Sequence, residues 1–329
     1  MLNKTMRLIV QALLGITLAS VCAAQAQSPA AKYPERPIRI IVPFPAGDGI
    51  DMQARLIGQH LTEKWGQQVL VENRPGAGTL IGTEAAVKAP ADGYTILLVT
   101  TTYSINPSLH PKVPYDPLKD FTPLIQTTAI PLIVVASPTF APNNLNEVIA
   151  LARQKPGTMS MGNSGIGTSA HIAMELLRMA AKLDYVHVPY KGIPPAMVDL
   201  LSGQLNMLST SPAQVMGSIR EGKIKPIAVT GAKRMPLLPN VATVAESGMP
   251  GFEATAWIGL VMPAGTPRDI VAKLNSEIAA ILNRPEIKAR FNNDGSEIIA
   301  SSPEAFGAHI SSELQKWAKV IKDAGIKPQ

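Results

Sequence analysis

"SMGNSGIGTSAH", residues 160–171, reads as the end of a short strand, a glycine-rich turn and the first turn of a helix. That order of elements decides the fold class. Met159 to Gly162 predicts a strand, and Thr168 to Ala181 predicts a helix whose Ile172, Leu176 and Met179 recur at helical spacing as a core stripe. Gly165 and Gly167 permit close backbone approach, and the helix that follows offers unpaired N–H groups and a favourable dipole. Such turns hold anions. From Gly165 the run Gly-Ile-Gly-Thr-Ser-Ala fits the G-x-G-x-x-G/A dinucleotide fingerprint, and read more loosely it is a cradle for a carboxylate.

Outward from this stretch the chain alternates β-branched runs with amphipathic segments. Strands are predicted at Ile38 to Val42, Val69 to Glu72 and Tyr94 to Thr100, with helices at Asp51 to Trp65 and Leu80 to Lys88 between them. A second series runs through a helix at Leu145 to Gln154, strands at Tyr185 to Val188 and Leu205 to Ser209, and helices at Pro195 to Leu201 and Pro212 to Glu221. Ile227 to Thr230 and Trp257 to Met262 read as strands, and Pro267 to Leu282, Pro285 to Asn292 and Pro303 to Ala324 as helices. The fold class is therefore α/β, each unit a mainly parallel sheet flanked by helices.

Lys4 and Arg7 precede an apolar stretch from Leu8 to Val21, followed by Ala24-Gln25-Ala26. This has the form of a secretory signal peptide over residues 1–26, whose apolar stretch of 14 residues, interrupted by Gln11, is too short for a membrane span of about 20. Cys22 is the chain's one cysteine. Val21 before it does not suit a lipid anchor, and beyond residue 26 no disulfide or thiolate metal site is available. The remaining chain carries 28 basic against 24 acidic residues, a net charge of +4 with no run of five or more like charges, which is not a nucleic-acid footprint. About 300 residues with 46% apolar content call for two cores, and no linker separates the halves, so the chain crosses between two lobes more than once.

Ligands of open α/β sheets sit where strands lead into helices. Three loops qualify: Pro43 to Ile50, the Thr100 to Ser104 segment, and the opening glycine turn. Asp51 reads as an N-cap, and Phe44, between two prolines, as either a pocket cover or a core residue. A P-loop lysine is missing, the nucleophile-elbow spacing fails at Ile166, and Asp184 lies at the wrong end of its strand to grip a ribose. No cofactor is expected. The five histidines are dispersed without zinc-site spacing, so no metal is expected, and His171 either contacts a ligand or secures the loop.

The blocks "YPERPIRIIVPFPAG", "VENRPGAG", "ADGYTILL", "PYDPLKDFTPL", "SGIGTSAH", "HVPYKGIPPAMVDLLSGQ", "IKPIAVTGAKR" and "WIGLVMPAGTP" occur in that order. With the export signal, they make the chain resemble the Bug (Bordetella uptake gene) solute-binding receptors of tripartite tricarboxylate transporters. The resemblance implies a type II-like, two-lobed periplasmic binding protein with a hinge. Lobe 1 would comprise 27–128 with 232–329, and lobe 2 would comprise 129–231. It implies a monomeric, non-catalytic receptor that closes on a small organic acid and delivers it to membrane permease subunits. A ligand sensor for a membrane signalling protein shares the same cleft, and a secreted dinucleotide-dependent enzyme is the remaining alternative.

Carried over by resemblance, lobe 1 contributes Phe44, Ala46 and Gly47, and lobe 2 contributes Ser164, Gly165, Gly167, Thr168 and His171. Thr101, Thr102, Tyr103 and Tyr190, with Lys191, are further candidates, and Ser209-Thr210-Ser211 can add hydroxyl contacts. Asp48 stands where the family commonly has glycine, and Asn206 where it commonly has aspartate. Facing the cleft, Asp48 would repel an anion or recruit a ligand that also bears an amine; facing solvent, it would change nothing.

Overall fold

The computed structural model describes residues 29–47 and 49–326. The signal segment, Cys22 and Asp48 lie outside the described residues. In chain order the elements are β1 (Ile38–Val42), α1 (Gly49–Trp65), β2 (Val69–Asn73), α2 (Leu80–Val87), β3 (Thr95–Thr100), α3 (Thr101–Leu109), β4 (Phe121–Pro131) and β5 (Ile133–Ala136). There follow α4 (Leu145–Gln154), β6 (Ser160–Asn163), α5 (Ser169–Ala181), β7 (Val186–Pro189), α6 (Ile193–Ser202), β8 (Met207–Thr210), α7 (Met216–Arg220) and β9 (Lys225–Val229). The chain ends with β10 (Thr255–Pro263), α8 (Arg268–Leu282), α9 (Pro285–Asn293), β11 (Glu297–Ile298) and α10 (Pro303–Asp323).

Two sheets result, in the orders β11-β4-β10-β3-β1-β2 and β7-β6-β8-β5-β9. The α/β class holds, but the sheets are mixed rather than mainly parallel. β1 pairs in parallel with β2 and β3, and β6 with β7 and β8, because each of these strands is fed by a strand–helix–strand crossover. β10 runs antiparallel to β3 and β4, and β5 antiparallel to β8 and β9. Those strands enter from the opposite sheet and therefore from the opposite direction. The chain leaves the first sheet at Pro131 and enters the second at Ile133, then returns between Val229 and Thr255.

β4 escaped the sequence reading because prolines at both ends and a polar Gln-Thr-Thr run hide its alternation. The segment after β3 is no loop: Thr101 begins α3 directly. The helix expected at Pro212 to Glu221 is broken into a 3₁₀ turn and α7 at Val215, whose φ of −126° is not helical.

At the crossing, the buried Thr230 hydroxyl donates to Ala254 O at 2.7 Å and accepts from Leu132 N at 2.9 Å, so one side chain ties both connections together. α10 spans the two units. Its Phe306 and Ile310 pack with Trp257 in the first core, while Trp317, Val320 and Ile321 lie in the second. Between them the buried Glu313 carboxylate accepts from Trp257 Nε1 at 3.0 Å and Trp317 Nε1 at 2.6 Å, with Lys316 Nζ at 3.0 Å supplying the countercharge. Among the described residues, no helix is long and apolar enough to cross a membrane.

Gly259 of β10 sits beneath α10, where an added Cβ would overlap the Phe306 ring and lie 2.9 Å from Ile125 O. Gly259→Ala is therefore expected to cost about 1–3 kcal/mol through overpacking. Denaturant unfolding of the two proteins checks this, and equal midpoints would contradict it.

Candidate ligand-binding site

A cavity of about 560 Å³ lies between the two sheets. Its first wall comes from Phe44, the start of α1 (Gly49, Ile50, Gln53), Thr100 to Thr102, Thr128 and Ile130 of β4, Ala256 to Ile258 of β10, and Phe291, Asp294 and Ser296. The second wall comes from Ser164, Thr168 to Ala170, Ile193, Thr210, Ser211, Ala213 and Gln214, with Leu132 at the crossing. Among the described residues, the lining holds no Lys, Arg or His, and its one charged side chain is the exposed Asp294. An anion in such a cavity must rely on neutral donors.

The glycine turn is fixed from within. Thr168 Oγ1 donates to Gly165 O at 2.7 Å and accepts from His171 N at 3.3 Å, which makes it the N-cap of α5. Gly165 N donates to Asn163 Oδ1 at 2.8 Å, and Gly167 N to His171 Nδ1 at 3.1 Å. These two amides are thus engaged within the turn itself. The N–H groups of Ser169 and Ala170, the first two of α5, have no acceptor among the described residues, and both residues line the cavity.

The opposite loop is held by Asp51. Lying inside the first turn of α1 rather than at its N-cap, its buried carboxylate reaches back to Gly47 N at 2.8 Å. Arg55 Nε at 2.8 Å and Asn73 Nδ2 at 2.9 Å complete its shell, and Asn73 also donates to Phe44 O at 3.0 Å. Burial alone would raise the Asp51 pKa, but the bonds from Arg55, Gly47 and Asn73 hold it below the usual carboxylate range.

Of the residues expected at the site, the structure brings Phe44, Thr101, Thr102, Ser164 and Thr168 to the cavity. It places Ala46, Gly47, Tyr103, Gly165, Gly167, His171 and Tyr190 off its wall. Ala46 and Gly47 are exposed, with the Gly47 amide taken by Asp51. Tyr103 is a core residue, stacked on Tyr115 at 5.2 Å with its hydroxyl donating to Pro117 O at 2.9 Å. The Tyr190 hydroxyl donates to Asp199 at 2.8 Å, and burial together with that bond pushes its pKa up to about 12. Asn206 Oδ1 accepts from Ser160 N at 2.9 Å, a structural bond that needs no charge.

Sequence reasoning missed Gln53 and Thr128. Both are buried on the wall, and their side-chain polar atoms have no hydrogen-bond partner among the described residues. It also missed a network behind the turn, where His171, Glu175 and His187 bring possible metal-donor atoms within 4.8 Å of one another. Each of the three is already tied into the protein: His171 Nδ1 accepts from Gly167, His187 Nδ1 pairs with Glu175 Oε1 at 2.9 Å, and Glu175 Oε2 accepts from Arg178 Nε at 2.8 Å. They form a hydrogen-bonded support.

The family model for the tripartite tricarboxylate transporter family receptor (TctC) matches residues 53–326. The chain belongs to the TctC receptor family. A TctC relative, BugT from Bordetella pertussis (strain Tohama I), is 35% identical over 318 residues, 96% of this chain and 97% of that protein. The structure of R. palustris Rpa4515 with adipate superposes with a TM-score of 0.78 at 34% identity, covering 90% of this chain and 100% of that one. MatC from Rhodopseudomonas palustris with bound malate gives 0.73 at 30% identity, covering 88% and 100%. TctC receptors share the two-unit α/β architecture described above.

Burial, reinforced by the neighbouring His187 and opposed by Glu175, lowers the His171 pKa from 6.5 to about 4. The unfolded chain takes up this proton first, so the contribution to stability is full above pH 6.5 and is lost as pH falls toward 4. Between pH 7 and pH 4 the wild type should lose up to about 3 kcal/mol more than His171→Asn, whose amide oxygen can still accept from Gly167. Urea unfolding across that range checks this, and parallel profiles would contradict it.

Proposed function

We propose that this TctC receptor captures a small organic carboxylate in the periplasm and delivers it, unaltered, to the membrane permease subunits of a tripartite tricarboxylate-type transporter. The observation that carries the reading is a cavity that, among the described residues, has no cationic side chain, with Ser169 and Ala170 at the start of α5 and several threonines and serines on its wall. Burying a carboxylate costs several kcal/mol, and each charge-assisted hydrogen bond returns about 1.5–3, so several of these donors must converge. The Ser169 and Ala170 amides, with Ser164, form the anchor for the charge, and Thr168, whose hydroxyl is given to Gly165 O, holds that turn in place. Phe44, Ile130, Leu132, Ile193 and Trp257 cover an apolar body. The adipate and malate of the related structures are ligands of this kind.

The lobes, 27–128 with 232–329 and 129–231, close about the two strand crossings, where Thr230 keeps Leu132 and Ala254 in register. Closure brings Phe44 and the first-lobe loop over the ligand and removes bulk water. Binding shifts an existing open–closed equilibrium.

Titration calorimetry with adipate, malate and the uncharged diamide of each tests the reading. At least one carboxylate is expected to bind with a Kd on the order of micromolar, about 8 kcal/mol, and its diamide not to bind. Phe44→Ala should weaken that carboxylate about tenfold, or 1.4 kcal/mol, by removing apolar cover. Equal binding of acid and diamide, or none by either acid, would contradict the proposal.

A further inference from the structure

Behind the glycine turn a chain of hydrogen bonds runs from a buried carboxylate to a turn amide. Glu175 Oε1 faces His187 Nδ1 at 2.9 Å, His187 Nε2 meets Asn163 Nδ2, and Asn163 Oδ1 takes the Gly165 N–H at 2.8 Å. Donor and acceptor roles leave a single consistent assignment. Gly165 N can only donate, so Asn163 presents oxygen to it and its NH₂ to the ring. His187 Nε2 must then accept, and His187 Nδ1 carries the hydrogen given to Glu175. The direction of the whole chain is set by one ionised carboxylate, which Arg178 also holds, with Nη2 at 2.7 Å.

We propose that Glu175 and His187 are positioning residues for anion binding: through Asn163 they hold the glycine turn in the geometry that opens the first amides of α5 into the cavity. Neither residue lines the cavity. The inference rests on the carboxylate-receptor reading and deepens it. Protonating His187 would place a hydrogen on Nε2 against the Asn163 NH₂. Turning that amide over relieves the clash but presents NH₂ to the Gly165 N–H, so the turn loses its anchor either way. Among the described residues, the charged and titratable groups facing His187 are Glu175 of α5, itself paired with Arg178, His171 of α5 with ring centroids 4.5 Å away, and Tyr185 at 6.1 Å. A cationic histidine near an anion site ordinarily strengthens binding by attraction. The relay demands the opposite sign.

The experiment combines imidazole ¹H–¹⁵N NMR, amide exchange at Gly165, and adipate calorimetry on the wild type, His187→Gln, His187→Ala and Glu175→Gln. The glutamine oxygen can stand at the Nε2 position and accept from Asn163 without titrating. The expected results are the neutral Nδ1–H tautomer for His187 and Gly165 exchange at least about tenfold faster in His187→Ala than in the wild type or His187→Gln. At pH 8 adipate affinity should be within about threefold of wild type in His187→Gln and reduced about fivefold or more in Glu175→Gln. Through the pH range in which NMR reports His187 protonation, the ratio of wild-type to His187→Gln affinity should fall, which cancels the titration of adipate itself. An Nε2–H tautomer, a ratio that rises or stays level, or unchanged Gly165 exchange in His187→Ala would overturn the relay. Should adipate fail to bind the wild type at pH 8 while tautomer and exchange behave as expected, the relay stands as a feature of the turn. In that case its role in adipate recognition is overturned along with adipate as the ligand.

Discussion

A negative charge held in a cavity with no lysine, arginine or histidine on its wall depends on main-chain N–H groups being in the right place beforehand. In the proposed reading the place is the N-terminus of α5, and what fixes it is the turn from Ser164 to Thr168. Two of the turn's own amides are given up to secure it, Gly165 to Asn163 and Gly167 to His171. Preorganised donors cost no rearrangement when the ligand arrives, whereas a flexible turn would spend binding energy on its own ordering. The facing loop follows the same logic, since Asp51 gathers Gly47, Arg55 and Asn73 so that Phe44 is presented at a set height.

Rigid local anchors are compatible with the proposed closure because they lie on opposite sides of the crossing. Thr230 links the two connections, and α10 runs across both cores with Glu313 bridging Trp257 and Trp317. Trp257 also lines the cavity, and its backbone N–H donates to Thr101 Oγ1 at 3.0 Å. One residue is thereby in contact with the ligand wall, the first core and the shared helix. Domain closure can turn about these contacts without breaking either sheet.

Much of this was legible in residue order. Ile38 to Val42, Leu145 to Gln154 and the strand–turn–helix around residue 165 announce themselves by period and punctuation, and they place Ser164 and Thr168 beside a cavity without any knowledge of the fold. What was not legible depends on strand order and on who satisfies whom. Nothing local says that β7 lies against β6, so the pairing of His187 with Asn163 and Glu175 was out of reach. His171 and Glu175, at i and i+4 on one helical face, were the only visible half. Gln53 and Thr128 carry no motif, and Thr128 sits on a strand whose prolines disguise it. Tyr103 was misplaced because a threonine-rich loop was assumed where α3 begins at once. In the glycine turn, spacing shows which N–H groups exist but not which are already taken.

The most direct measurement of the central idea is a crystal structure of this receptor with a carboxylate bound. Carboxylate oxygens within about 3 Å of the Ser169 and Ala170 amides, with Phe44 closed over the ligand and no cationic side chain in contact, are the expected result. A carboxylate paired with a lysine or arginine, or seated away from the start of α5, would contradict it.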